Sequence, residues 1–262
     1  MGMMKTWGVP GVGMLAMALG APLTAQGHAA DVIEVPLRVE SGRLIVQVRT
    51  ADGDELDFIL STGNTSTVLS ESTAAHLGDH PRLALGDAVV DTEAVATIPD
   101  AQLEVEGTQY HGIIASNTLN QFDVLVDAPG GRLLLKSIGA RVEWPGTQLS
   151  DPVRLRVFHG MILALDVTVD GHTFGAMLDL GTSGVLASPA AGEKLGLQGD
   201  GMATISVGEA TLRDTPVRVR DLEAFRQFDP AGAGFILLGA SLAYDCAVSI
   251  SWVHREMRTC VR

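Results

Sequence analysis

Apolar residues fall in short runs along most of this chain, and no segment sustains a long helical period. "RLIVQVRT" (43–50) and "MILALDVT" (161–168) carry strand-like spacing, and each is followed by the turn dipeptide Asp-Gly, at Asp52-Gly53 and Asp170-Gly171. "LDFIL" (56–60) and "AMLDL" (176–180) continue as buried strands that run into loops of small residues. "ESTAAH" (71–76) and "PAAGEK" (189–194) read as short helices, each opened by a serine that can accept from a free N–H of the first turn. Many short β-branched runs punctuated by Gly, Asp and Pro predict an all-β architecture.

These pairs of segments are one repeat. Adding 118 to Asp52-Gly53 gives Asp170-Gly171, and the same step takes Ser61 to Asp179, Gly63 to Gly181, Ser70 to Ser188 and Leu77-Gly78 to Leu195-Gly196. Later the register drifts by about six residues. "GIIASNTLNQFDVLVDAPGGRLLL" (112–135) then parallels "FILLGASLAYDCAVSISWVHREMRTCV" (235–261): bulky aliphatics, a small residue, a polar-apolar stretch, then an antiparallel hairpin. Two similar halves predict two small β-barrel lobes with a cleft between them, the place where a ligand sits. The expected boundaries are 30–142 for the first lobe, 143–152 for a linker around Trp144-Pro145-Gly146, and 153–262 for the second.

The first 29 residues have the layout of a cleavable export signal: one charge, Lys5, then the apolar run around "GVGMLAMALG", then small residues up to Ala25, Ala29 or Ala30. The apolar run is shorter than the roughly 20 residues that a membrane-spanning helix needs. The expectation is a periplasmic or extracellular protein with no membrane attachment after cleavage. Without Lys5, 17 basic residues face 31 acidic ones, a net charge of −14. Such a surface repels phosphate backbones and anionic headgroups, which argues against nucleic acid and membrane partners.

Cys246 and Cys260 are the only cysteines, and in an oxidising compartment two thiols pair. A hairpin turning at Val253 would set them directly opposite each other, where Cα atoms lie about 4.5 to 5.5 Å apart, within reach of a disulfide. The histidines, His28, His76, His80, His111, His159, His172 and His254, have no metal-ligand spacing, and neither a C-x-x-C pair nor a glycine-rich phosphate loop is present. No metal and no cofactor is expected. "GASLA" (239–243) lacks the G-x-S-x-G form of a nucleophile elbow.

With the repeat in place, the chain resembles the aspartic peptidases, both pepsin-like and retropepsin-like. "AMLDLGTSGVLAS" with "ILLG", and "FILSTGNTSTVLS" with "GIIA", match that family's hydrophobic-hydrophobic-D-T/S-G loop and its later aliphatic-aliphatic-Gly. The resemblance covers residues 33–261 or so, and implies the two-lobed acid-protease fold with catalytic positions at 61 and 179. In that chemistry two facing carboxylates share one proton: the ionised one activates water while the protonated one polarises the scissile carbonyl.

Here Asp179 is present, but Ser61 stands in the other place, and a hydroxyl supplies neither an acidic proton nor a base. Thr62 keeps the hydroxyl that cross-links the two loops in that family, whereas Leu180 does not. Ala115 replaces the glycine found at Gly239, and the first half carries no flap aromatic in 81–102. Gly63, Gly181, Thr182 and Ser183 read as support for the two loops. Thr65, Ser66, Thr182 and Ser183 more simply satisfy loop backbone groups. The expectation is therefore a degenerate aspartic endopeptidase, monomeric, which binds an extended peptide or protein segment in the cleft. The alternative is an active peptidase that uses a water held by Asp179 and Ser61, or a carboxylate recruited from elsewhere. Asp57 is the nearest acid in sequence.

Overall fold

The structure, a computed structural model, describes residues 32–78, 81–90, 95–139, 144 and 146–260. The signal read at 1–29 lies outside these residues, as do His28 and His80. Strands β1 (Ile33–Glu40), β2 (Arg43–Thr50), β3 (Glu55–Leu60) and β4 (Val68–Ser70) are followed by helix α1 (Glu71–Leu77) and the short strands β5 (Leu83–Leu85), β6 (Ala88–Val90) and β7 (Ala96–Ile98). Next come the hairpin of β8 (Glu104–Val105) and β9 (Thr108–Gln109), then β10 (Gly112–Ile114), α2 (Ser116–Leu119), β11 (Phe122–Asp127) and β12 (Arg132–Ser137).

The second half repeats the plan. It has β13 (Val153–Arg154), β14 (Arg156–Phe158), β15 (Ile162–Val169), β16 (His172–Leu178), β17 (Val185–Ala187), α3 (Pro189–Lys194), β18 (Gly201–Val207) and β19 (Ala210–Val219). Helix α4 (Glu223–Phe228), β20 (Phe235–Leu238), β21 (Val248–Ser251) and β22 (Glu256–Thr259) complete it. The described chain is all-β in character, as its alternation predicts.

In the second half β15, β16, β20, β17, β19 and β18 pair in that order, and β18 returns to β15, which closes a six-stranded barrel. Closure removes the free strand edges and lets side chains from all six strands fill one interior. Leu163, Leu165, Val167, Leu178, Val185, Ile205, Val217 and Leu238 form that interior, each almost fully buried. The first half follows the same path. β3 pairs with β2 on one side and runs parallel to β10 on the other, β10 is antiparallel to β4, and β5 returns to β2.

The repeat also appears in the pairing register. Ser61 N–H donates to Ile114 O and Asp179 N–H to Leu238 O, both at 2.9 Å. The two halves meet where β11 pairs with β21, so strands of both belong to one 13-stranded sheet. Leu125 and Ser249 face each other at the centre of that pairing. They are separated by the same 124 residues as Ile114 and Leu238, so equivalent strands of the two halves lie side by side.

Of the local expectations about turns, the one for the last hairpin needs correction. Both Asp-Gly pairs lie in turns, as expected: Asp170-Gly171 in a two-residue turn with φ of 45° and 83°, and Asp52-Gly53 in a wider one closed by Thr50 N–H to Asp54 O. Asp170 and Gly171 both adopt the left-handed region, as a type I′ turn requires, whereas at 52–53 only Gly53 does. The last hairpin turns through Trp252–Arg255, and its register pairs Val248 with Thr259. Cys260 therefore donates its N–H to Ala247 O and is not directly opposite Cys246. The two cysteines are nonetheless disulfide-bonded, with Cα atoms 5.5 Å apart.

Between the halves, Trp144 is buried, its indole N–H donates to Ser249 Oγ, and Ser150 N–H donates to Thr259 O. The described part of this segment is thus tied down along β21 and β22. Among the described residues, no helix is long and apolar enough to cross a membrane.

Candidate functional site

Strands β3 and β16 end in the loops that carry Ser61 and Asp179, and the structure brings these loops into contact. Ser61 Oγ donates to Asp179 Oδ1 at 2.8 Å. That oxygen also accepts from Gly181 N–H at 2.9 Å and from Gly63 N–H at 3.0 Å, and the second carboxylate oxygen accepts from Thr182 Oγ at 2.8 Å. Asp179 is half-buried, while Ser61 is almost completely so.

Glycine is required on both sides of this contact. A Cβ on Gly63 would overlap the Asp179 carboxyl, and one on Gly181 would overlap the Ser61 side chain. Gly239 is similarly constrained, since a Cβ there would strike the carbonyl oxygens of Thr182 and Gly184. Its counterpart Ala115 is followed by the same kind of bond, Ser116 N–H to Asn64 O matching Ala240 N–H to Thr182 O.

The surroundings of Ser61 copy those of Asp179. Gly63 N–H, two residues on, donates to Ser61 Oγ at 3.2 Å, as Gly181 N–H donates to Asp179. Asn64 adds its backbone N–H and its side-chain amide, each at 3.2 Å, where Thr182 offers a hydroxyl to Asp179. Three N–H groups thus converge on one hydroxyl oxygen that has two lone pairs. A carboxylate, with about four acceptor sites on two oxygens, would match that donor set more fully. This donor set would suit a carboxylate, and a serine occupies the position.

Thr62 makes half of a cross-link. Its hydroxyl donates to Leu178 O at 2.9 Å and accepts from Leu180 N–H at 3.1 Å, which ties the first loop to the strand end beneath Asp179. Leu180 returns nothing of the kind and is fully buried in the apolar core. Of the other loop residues, Ser183 accepts from the Arg218 guanidinium through both its carbonyl, at 2.6 Å, and its hydroxyl, at 3.3 Å. Thr65 is exposed.

Asp57 is not available as a second acid. Arg38 binds both of its oxygens, at 2.9 and 2.8 Å, an interaction that also holds the Arg38 guanidinium well above its ordinary value. No carboxyl among the described residues hydrogen-bonds to Asp179, and none gathers with others into a group of three or more metal-ligating side chains.

Sequence reasoning missed the groups that reach this site from far along the chain. Arg43, at the tip of the β1–β2 hairpin, donates to Gly181 O. Tyr244 OH donates to Gly42 O at 2.7 Å, and burial raises that phenol above its ordinary value. No local pattern announces contacts over 138 and 202 residues. Beside the Asp179 loop lies a depression of about 280 Å³, lined in part by Gly184, Leu212, Asp214, Pro216, Ser241 and Tyr244. A bulge in β19 shapes one wall, with the register slipping between Ala203 and Ile205 and Asp214 at φ 48°.

Against known proteins, no family model matches the chain and no curated protein is significantly similar to it.

Proposed function

We propose that this protein is an exported, catalytically silent relative of the aspartic peptidases, two-lobed as in that family, whose site binds an extended polypeptide without cutting it. The observation that carries this reading is the Ser61 cradle: three N–H donors and Asp179 surround a position suited to a second carboxylate, and a hydroxyl fills it. The shared-proton mechanism needs an acid at both positions. Ser61 already donates its one proton to Asp179 and accepts from three N–H groups, so it has no bond left with which to orient a water. Removing a positioned acid or base typically costs about 10² to 10⁴ in rate.

Binding needs less than catalysis. The loop that carries Asp179 ends at Gly184 on the wall of the 280 Å³ depression, and the two loops present backbone and hydroxyl groups that an extended segment can pair with. The disulfide and the leader-like N-terminus support export.

The test is equilibrium binding of a mixed library of unstructured peptides to the chain lacking residues 1–29, for the natural protein and for Asp179→Asn. Saturable binding of peptides that are recovered intact, kept within about threefold in Asp179→Asn, is the expected result. Recovery of cleaved peptides from the natural protein but not from Asp179→Asn would establish the active-peptidase alternative instead.

A further inference from the structure

The two hairpin tips that the repeat makes equivalent differ in one respect. Ser41-Gly42 turns with φ of 48° and 70°, and His159-Gly160, 118 residues later, turns with φ of 50° and 74°. The residue after the first turn is Arg43 and the residue after the second is Met161. Arg43 crosses to the other half and donates to Gly181 O, two residues beyond Asp179. Gly42 O accepts from Tyr244, and Gly42 lies so close to Ser183 that a Cβ on it would come within 3.0 Å of the Ser183 Cβ. One tip thus touches both the loop that carries Asp179 and the tyrosine that walls the depression.

This arrangement carries a cost that a methionine would avoid, because Arg43 Nε is buried with no hydrogen-bond partner. Its benefit lies in what the tip holds still. Gly181 donates to Asp179, Ser183 is fixed from the other side by Arg218, and Tyr244 stands between the tip and the depression.

We propose that the Ser41–Gly42–Arg43 tip is the positioning element of this site: it fixes the Asp179 loop and Tyr244 so that the depression accepts one side chain of the bound segment and selects among side chains. This rests on the peptide-binding reading above. A volume of about 280 Å³ suits a single side chain and is at the small end for a whole small-molecule ligand.

The experiment is to profile the natural protein, Arg43→Met, Arg43→Lys and Tyr244→Phe against a peptide library varied one position at a time, with the thermal midpoint of each variant measured in parallel. Arg43→Met installs the residue that the repeat has at the equivalent place. The expected result is a preference at one peptide position that flattens at least fivefold in Arg43→Met and Tyr244→Phe, with preferences at other positions kept and Arg43→Lys partly restoring it. An unchanged profile, or a loss at all positions in proportion to lost folded protein, would overturn the positioning role while leaving peptide binding intact. A natural protein that binds no peptide would overturn both readings together.

Discussion

At the scale of single residues, the site depends on hydrogen bonds whose loss leaves buried groups unpaired. Thr62 is buried and satisfies both Leu178 O and Leu180 N–H, so Thr62→Val should destabilise the fold by about 2 kcal/mol, read as a lower urea midpoint at unchanged slope. Tyr110 and Tyr244 titrate above their ordinary value of 10.0, chiefly because burial disfavours the phenolate. The folded state holds these protons more tightly than the unfolded state does. Their contribution is therefore complete below pH 10.0 and is lost as the pH rises through the folded values. Stability should fall on the alkaline side, and the fall should be shallower in Tyr244→Phe when urea midpoints are compared across pH 9 to about 11. Lys136, lowered by burial, contributes with the opposite sign, so the difference in slope between the natural protein and Tyr244→Phe isolates the phenol. The contacts of Ser61, Gly63, Asp179 and Gly181 were legible in the sequence because a copy of each loop stood beside it for comparison. Those of Arg43, Arg218 and Tyr244 were not, since nothing in the local pattern around a long polar side chain, at a hairpin tip, in a strand or in a short turn, names a partner far along the chain.

Among elements, the two serine caps do more in one half than in the other. Ser70 Oγ accepts from Thr73 N–H at the start of α1. Ser188 Oγ accepts from Ala191 N–H and also from Phe235 N–H, which fastens α3 to β20. Ser70→Ala should cost about 1 kcal/mol, and Ser188→Ala distinctly more, because the second change also leaves a buried strand N–H unpaired. The disulfide closes a loop between residues 14 apart in sequence, so Cys246→Ser with Cys260→Ser should lose about 3 kcal/mol, checked by denaturant unfolding beside the reduced natural protein. The pairing of these cysteines was legible from compartment and spacing. Their register was not, because turn length decides it, and the four-residue turn Trp252–Arg255 shifts the strands by one position from a turn centred on Val253.

For the whole molecule, a repeat at 118 residues that drifts to 124 accounts for the order of strands, the closed barrel in the second half and the like path in the first. The contact between halves was beyond the sequence: β11 and β21 meet by pairing, and nothing in either strand's alternation names the other. A chain of net charge −13 should also prefer basic over acidic peptides of equal length, most clearly at low salt, and the preference should shrink as the ionic strength rises past about 0.15 M. The claim on which all of this turns is that Ser61 occupies the place of a second acid. Its most direct test is peptide cleavage followed by mass spectrometry from about pH 3 to 7 for the natural protein, Ser61→Asp and Ser61→Asp with Asp179→Asn. The account predicts no cleavage by the natural protein, acid-favoured cleavage by Ser61→Asp, and silence again in the double variant. Cleavage by the natural protein that Asp179→Asn abolishes would contradict it, as would a folded Ser61→Asp that binds peptide and never cuts.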